Sequence, residues 1–198
     1  MKVLLIGANG TIGQAVRAEL SQRHEVISAG RSSGDERVDI TDPNSIRELY
    51  KRVGKVGAVA CAAGNVHFGA LADMTPELYD IGLRDKLMGQ VNLVVFGRDH
   101  VEEGGSFTLI SGILAQEPIR YGSSASMVNG ALESFVLAAA VELAPQRINA
   151  VSPTILTESV GAYGDFFRGY ESVDAASVAL AYSRSIEGAQ TGQIYTLG

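Results

Sequence analysis

Short apolar runs alternate along the chain with longer segments in which apolar residues recur every three or four positions. The short runs predict six strands, at residues 3–6, 25–29, 58–62, 107–111, 147–152 and 194–197. The longer segments predict helices over residues 12–23, 43–53, 76–100 (in one piece or two), 125–143 and 174–185. Because strands and helices alternate, we expect a mostly parallel sheet covered by helices on both faces.

The composition narrows the class of protein. The chain has 198 residues, 46% of them hydrophobic, and we expect one compact domain over residues 1–198. The formal charge of −6 and the lack of a basic run indicate no nucleic-acid partner. No apolar run is long enough for a signal-peptide core or a membrane span, which predicts a soluble, cytoplasmic protein. A single cysteine fits a reducing compartment, and three scattered histidines give no support for a metal site.

The segment GANGTIG, residues 7–13, directly follows the first predicted strand and opens the first predicted helix. Its three glycines allow a sharp turn, close approach of the backbone to a phosphate, and tight packing of the helix on the sheet. The start of the helix offers free N–H groups and partial positive charge to a diphosphate. We therefore expect a dinucleotide here, the alternative being a purely structural turn. The expected contacts are Gly7, Asn9, Gly10, Thr11, Ile12 and Gly13.

The end of the second predicted strand indicates which dinucleotide binds. NAD sites usually carry Asp or Glu at this place, whereas this chain has Arg31 followed by Ser32. A guanidinium suits the 2′-phosphate of NADP(H), so NADP(H) is favoured over NAD(H); the alternative is that Arg31 is a solvated loop residue. We expect Asp39 to accept a hydrogen bond from the adenine, because capping of the next helix belongs more naturally to Thr41 or Asp42.

Several segments, taken in order, resemble the short-chain dehydrogenase/reductase family. GRSS (30–33) resembles its NADP-type strand end, VDIT (38–41) its adenine pocket, and CAAG (61–64) its NNAG segment. NGALESFVLAAAVELA (129–144), INAVSP (148–153) and TGQIYTLG (191–198) resemble its active-site helix, its nicotinamide strand and its closing strand. The resemblance implies a three-layer α/β fold, a doubly wound Rossmann sheet of about seven strands, with a short extra strand at residues 38–39. It also implies cofactor contacts at Ile40, Ala62, Ala63, Gly64, Pro153, Ile155 and Thr157.

The resemblance also assigns the catalytic positions. Enzymes of this family use a serine, a tyrosine and a lysine, the last two spaced YxxxK, with an asparagine on the preceding long helix. Aligned through the segment 129–144, the lysine position falls on Asn129 and the tyrosine position on Ala125. The serine position falls on Gly112, next to Ser111, and the asparagine position falls near Lys86. In this register every catalytic position departs from the family pattern.

Other residues are candidates for the missing groups. Tyr121 lies in the loop before the helix and is a candidate proton donor, unless it is a surface residue. Lys86 is a candidate acid or electrostatic partner, unless it lies on a solvated helix face. Ser111, at the end of a strand, is well placed to hold a substrate oxygen. Asn129 is able to bond the ribose hydroxyls of the cofactor.

Four aromatic residues cluster after the sixth predicted strand. The stretch 153–171 contains Tyr163, Phe166, Phe167 and Tyr170. They indicate a small-molecule substrate, apolar or aromatic, under a mobile lid; the alternative is that they only pack the lid onto the core.

The helix predicted at residues 125–143 also bears on assembly. Its only charged residues are Glu133 and Glu142, and a helix that is apolar nearly all round is buried on more than one side. In the family this helix and the one before it pack against their copies. We therefore expect a homodimer or homotetramer formed through helices 76–100 and 125–143.

Two functions remain open from the sequence. The first is an NADP(H)-dependent oxidoreductase with an atypical active site, acting on a small, apolar carbonyl or alcohol compound. The second is a non-catalytic NADP(H)-binding sensor or partner-binding protein of the same ancestry. The glycine loop and Arg31 agree with both, the loss of the YxxxK pattern favours the second, and the aromatic stretch with Asn129 favours the first.

Overall fold

The computed structural model describes residues 1–198 and contains one seven-stranded parallel sheet. The strands are β1 (Lys2–Ile6), β2 (Glu25–Gly30), β3 (Glu36–Arg37), β4 (Val56–Cys61), β5 (Val101–Ile110), β6 (Arg147–Pro153) and β7 (Ile194–Leu197). Their order across the sheet is β3-β2-β1-β4-β5-β6-β7, and every neighbouring pair is parallel. The predicted doubly wound α/β fold is confirmed.

The helices cover both faces of this sheet. They are α1 (Thr11–Leu20), α2 (Pro43–Val53), α3 (Pro76–Gly82), α4 (Gly89–Gly97), α5 (Ser123–Glu142), α6 (Val160–Tyr163) and α7 (Ala175–Glu187). A π-helical turn, Leu83–Met88, joins α3 to α4. The segment predicted as one or two helices is therefore one continuous helix whose middle part is π-helical. Such π turns occur often at functional sites.

Several boundaries differ from the sequence prediction, and three of these differences have a clear local reason. The short third strand is Glu36–Arg37 and not residues 38–39, because Val38 is an apolar side chain packed into the core after the strand ends. Helix α1 stops at Leu20, since residues 21–23 form a turn. Strand β5 begins at Val101 and not at residue 107. Residues 102–104 are exposed and not apolar, so the pattern of apolar residues did not indicate this part of the strand.

The core has two halves, one on each face of the sheet. Alternating strand residues point to opposite faces, so Leu4 and Ile6 lie with α2, α4 and α5, whereas Val3 and Leu5 lie with α1 and α7. Burial on both faces explains the continuous apolar strands. Helix α5 is long and apolar enough to suit a bilayer, but Val128, Leu132 and Val136 pack fully buried on this sheet, as in the core helix of a globular domain.

The register of the strands sets the position of the functional site. Ile6 of β1 pairs with Ala29 of β2 on one side and with Cys61 of β4 on the other, so these three strands end at one level. The chain order reverses between β1 and β4, which leaves a crevice beyond their carboxyl ends. Ligands of open α/β sheets bind in such a crevice.

Candidate functional site

Two adjoining cavities lie beyond the carboxyl ends of the strands. The inner cavity, about 300 Å³, lies among the ends of β4, β5 and β6 and the start of α5. The outer cavity, about 270 Å³, lies beyond β1, β2 and β4. Ala63 and Gly64 belong to the walls of both, so the two cavities form one cleft along the sheet edge.

Most residues expected at the site from the sequence line this cleft. The inner cavity is lined by Ile12, Ala62, Ala63, Gly64, Lys86, Ser111, Asn129 and Pro153. The outer cavity is lined by Gly7, Arg31, Ile40, Ala63 and Gly64. The rest of the inner wall is mainly apolar and includes Val66, Phe68, Ile113, Leu114, Ala125 and Phe167.

The glycine loop is packed too closely for a side chain at Gly7 or at Gly13. Gly7 has φ +81°, and a Cβ there would lie 2.8 Å from the carbonyl oxygen of Ala62. A Cβ on Gly13 would lie 2.0 Å from the carbonyl oxygen of Gly7. A Cβ on Gly10 would meet nothing closer than 3.6 Å. The loop therefore holds α1 against β1 and leaves open space beside Gly10.

The start of α1 has free hydrogen-bond donors beside that open space. Gly10 is the N-cap residue and provides no side-chain cap. The N–H groups of Thr11, Ile12 and Gly13 have no acceptor within the helix, because the first turn of any helix leaves such groups unpaired. The side-chain amide of Asn9 donates a hydrogen bond to the Ser33 hydroxyl, in the loop after β2. An anion such as a diphosphate fits the helix start.

Arg31 lines the outer cavity between two carboxylates. Its Nη2 lies 3.3 Å from Asp39 Oδ1 and 3.4 Å from Asp85 Oδ2, and its side chain is 63% exposed. Asp85 Oδ1 also accepts the backbone N–H of Asn65 at 3.0 Å. The guanidinium is thus held at the rim with donors left for a phosphate, and Ser32 beside it is exposed.

Asp39 has local partners in addition to Arg31. Its Oδ1 accepts hydrogen bonds from the Thr41 hydroxyl at 2.7 Å and the Thr41 N–H at 2.9 Å. The hydroxyl bond and, more weakly, Arg31 lower the pKa of this carboxyl. Asp42 caps α2 by accepting the N–H of Asn44, so Asp39 is not the cap, and Asp39 is not among the residues that line the outer cavity.

Lys86 projects from the π-helical turn into the inner cavity. Its Nζ donates a hydrogen bond to the backbone carbonyl of Ser111 at 2.9 Å. Burial lowers the pKa of Lys86 to about 8, because a low-dielectric environment disfavours the charged form. An amine with such a pKa is able to exchange a proton near neutral pH.

Three polar residues complete the inner wall. The Ser111 hydroxyl donates to Glu133 Oε1 at 2.8 Å, and Asn129 Nδ2 donates to the carbonyl of Gly112 at 3.3 Å. Asn129 Oδ1 and Thr154 Oγ1 are buried with no hydrogen-bond partner. Buried polar atoms are normally paired, so these two atoms fit a ligand that brings hydroxyl or amide groups into the cavity. The ribose and the carboxamide of a nicotinamide nucleotide have such groups.

Nine residues expected at the site are not in the walls of either cavity: Asn9, Gly10, Thr11, Gly13, Ser32, Asp39, Tyr121, Ile155 and Thr157. Tyr121 is 45% exposed, has φ +65°, and packs edge-on against Phe166 with ring centroids 5.9 Å apart. Ile155 is buried, and its carbonyl accepts the N–H of Val173 at 3.0 Å. Thr157 is exposed. Of the four aromatic residues after β6, only Phe167 lines the inner cavity.

The structure adds three residues that sequence reasoning missed. Thr154 follows β6 directly and was passed over, although the carboxyl end of a strand is a signal in such sheets. Asp85 had no sequence signal, because its partners are 20 and 54 residues away. Glu133 did have one, as a carboxylate in the middle of an apolar helix. No cluster of His, Cys, Asp or Glu suitable for a metal ion is present.

Solved structures of known proteins share this fold over nearly the whole chain. The protein lin1944 from Listeria innocua is 48% identical with a TM-score of 0.98, and the match covers 99% of this chain and 98% of that one. A small-chain dehydrogenase solved in complex with NADPH is 25% identical with a TM-score of 0.89, covering 99% of this chain and 95% of that one.

Curated relatives and a family model agree with that likeness. Trihydroxynaphthalene reductase PfmaI of Pestalotiopsis fici is 29% identical over 176 residues, covering 76% of this chain but 62% of the relative. Versicolorin reductase stcU of Emericella nidulans is 27% identical over 176 residues, covering 76% of this chain and 67% of the relative. The chain thus spans only about two thirds of these relatives. The family model described as enoyl-(acyl carrier protein) reductase matches residues 7–191. This match, with the fold and the glycine loop, shows that the chain belongs to the short-chain dehydrogenase/reductase family.

Proposed function

We propose that the protein is an NADP(H)-dependent oxidoreductase that interconverts a small, largely apolar carbonyl compound and its alcohol. The observation that carries this proposal is Lys86, a cation in the inner cavity whose pKa is lowered to about 8 by burial. A proton donor in this place suits carbonyl reduction. The sequence and the cavity wall provide no tyrosine there, since Ala125 occupies that part of the wall.

The cleft fits the cofactor from both ends. The start of α1 would hold the diphosphate, Arg31 the 2′-phosphate, and Asn129 with Thr154 the nicotinamide ribose and carboxamide. The bound cofactor would supply the hydride. Lys86 would donate the proton to the carbonyl oxygen as negative charge develops on it, and the apolar wall would exclude water.

The shape and chemistry of the inner wall support an apolar substrate. Val66, Phe68, Ile113, Leu114 and Phe167 surround the polar groups named above. The curated relatives are named as reductases of hydroxylated naphthalene and versicolorin compounds. An aryl ketone or related phenolic carbonyl compound is therefore the substrate class that we propose.

One observation favours a second function, an NADP(H)-binding sensor without turnover. Ala125 presents only a methyl group where the family resemblance implies the tyrosine hydroxyl. A panel of aryl and alkyl carbonyl compounds, assayed by the loss of reduced-nicotinamide absorbance, separates the two functions. Turnover of at least one compound supports the oxidoreductase, whereas firm NADPH binding with no turnover across the panel supports the sensor.

Replacing Arg31 with alanine tests the choice of cofactor. Charge-assisted bonds to a phosphate contribute about 1.5–3 kcal/mol, so the R31A variant should bind NADPH about 10–100-fold more weakly. NADH affinity should change little, because NADH lacks the 2′-phosphate. Calorimetry on both nucleotides measures the two effects. Lys51→Ala, whose side chain on α2 is 67% exposed, is the charge-matched control. An equal loss of affinity for NADPH and NADH in R31A would count against the assignment.

We also propose that the protein forms a homodimer or homotetramer through the helices around α4 and α5. Leu137 and Val141 on α5 are 54% and 83% exposed, and Val95 on α4 is 47% exposed, in the single chain. An uncovered apolar face of this kind marks an association surface.

Charges placed on that face should separate the subunits. The double variant Leu137→Glu, Val141→Glu should be a monomer at micromolar concentration by light scattering, whereas the unaltered protein should be a dimer or larger. Leu180→Glu, on α7 and 59% exposed, is the control and should leave assembly unchanged. A monomeric unaltered protein would contradict the proposal.

A further inference from the structure

Glu133 is a buried carboxylate that the proposed cofactor and substrate contacts do not use. It lies in the middle of α5 and is 7% exposed. It forms none of the ion pairs of the structure. Burial of a carboxylate costs free energy unless hydrogen bonds compensate it, so its partners are informative.

The partners of Glu133 come from three different segments. Oε1 accepts the Ser111 hydroxyl, after β5, at 2.8 Å and the Ser152 hydroxyl, in β6, at 3.0 Å. Oε2 accepts the side-chain amide of Gln116, in the loop that follows β5. One carboxylate therefore ties α5 to the ends of two neighbouring strands and to a loop at the inner cavity.

The backbone held in this way carries the acceptors for two polar residues of the cavity. The carbonyl of Ser111 accepts Lys86 Nζ at 2.9 Å, and the carbonyl of the next residue, Gly112, accepts Asn129 Nδ2 at 3.3 Å. A shift of the Ser111–Gly112 backbone would move both side chains. Glu133 thus acts on Lys86 through Ser111, without touching the reacting atoms.

The charge of Glu133 also acts on Lys86. The titratable groups that act on Lys86 are Cys61, at the end of β4, and Glu133, on α5. Asp85 precedes Lys86 in the chain. Burial raises the pKa of Cys61 to about 12, so this thiol is neutral near pH 8. Asp85 is engaged with Arg31 and the Asn65 N–H. Glu133 therefore remains as the buried negative charge that favours the ammonium form of Lys86.

We propose that Glu133 is a positioning residue of the active site: its carboxylate binds Ser111, Ser152 and Gln116 and so fixes the strand ends that hold Lys86, and its negative charge favours the ammonium form of Lys86. This inference rests on the proposed function, in which Lys86 supplies the proton. It predicts that the loss of the charge and the loss of the geometry have separable effects.

Two variants and a direct titration test the proposal. The pKa of Lys86 is measured by NMR of labelled lysine side chains in the intact protein, the signal being assigned with Lys86→Met. In Glu133→Gln the pKa of Lys86 should fall by about one pH unit, and the alkaline limb of kcat/KM should move equally. Glu133→Asp keeps the charge with a shorter reach, so it should keep the pKa and lose kcat by about tenfold. Glu142→Gln, exposed on the same helix, is the control.

The outcomes also separate this inference from the proposed function. A Lys86 pKa that is unchanged in Glu133→Gln overturns the proposal, as does a Glu133→Asp variant with unaltered kcat. If Glu133→Gln does not fold, the kcat of Glu133→Asp alone decides whether the proposal holds. A shifted Lys86 pKa in a protein that turns over no substrate would support the electrostatic role of Glu133 and contradict the oxidoreductase.

Discussion

Replacing Lys86 with methionine is expected to lower kcat/KM for carbonyl reduction by about 10²–10⁴-fold, the usual contribution of a positioned acid. The methionine fills a similar volume but carries no proton. NADPH affinity should stay within about threefold, because the cofactor contacts that we propose at the glycine loop and Arg31 are untouched. Steady-state kinetics with a compound that the unaltered protein reduces gives kcat/KM, and a parallel titration gives the NADPH affinity.

The pH profile and a control complete this test. Since Lys86 acts in its protonated form and its pKa is about 8, kcat/KM of the unaltered protein should be level below that pH and fall as the pH rises through it. The residual kcat/KM of Lys86→Met should not show this fall above about pH 8. Its unfolding temperature at pH 7 should be equal or higher, because a lysine with a lowered pKa opposes folding while it is charged. Lys55→Met, at an exposed position, should behave as the unaltered protein. Full activity in Lys86→Met would remove Lys86 from the mechanism.

Gly13→Ala is expected to have the second large effect. The added Cβ would lie 2.0 Å from the carbonyl oxygen of Gly7 and 2.8 Å from the Cα of Ala8. Both neighbours are backbone atoms, so α1 must move away from β1. We expect a loss of about 2–4 kcal/mol in the free energy of unfolding and a loss of NADPH affinity of about 100-fold or more.

Gly130→Ala is the matched control for that change. Gly130 also lies in a helix, but a Cβ there meets nothing within 4 Å. Alanine should therefore leave NADPH binding unchanged and stability equal or slightly higher. Denaturant unfolding and calorimetry on both variants give the comparison. Unaltered NADPH binding in Gly13→Ala would mean that the glycine loop does not hold the diphosphate.

The fold was predictable because its signals are local. Continuous apolar strands, the glycines at positions 7, 10 and 13, and the alternation with amphipathic helices each follow from short stretches of sequence. The third strand was predicted at residues 38–39, but the apolar Val38 is buried in the core without being part of the strand, which is Glu36–Arg37. The doubly wound parallel sheet followed from the family resemblance and the right-handed crossover rule, whereas the strand order and the level of the strand ends come from the structure.

The site was less predictable because its key contacts join distant segments. Lys86 lies in a charged run, RDK, that suggests a solvated helix face, and only the π-helical turn with the carbonyl of Ser111 explains its burial. Thr154 becomes a candidate for ligand binding only because its buried hydroxyl has no hydrogen-bond partner, which the sequence does not show. Tyr121 was a candidate from its place in the loop before the helix, but its ring packs against Phe166 and does not line either cavity. Such features depend on tertiary packing, which no local pattern records.

The binding of the cofactor to the unaltered protein is the most direct test of the central claim, that the two cavities form one NADP(H) site. Calorimetric titrations with NADPH and with NADH measure it. The expected result is one NADPH per chain with a Kd on the order of 1 μM and NADH binding at least about tenfold more weakly. An absence of measurable binding by either nucleotide would contradict the claim.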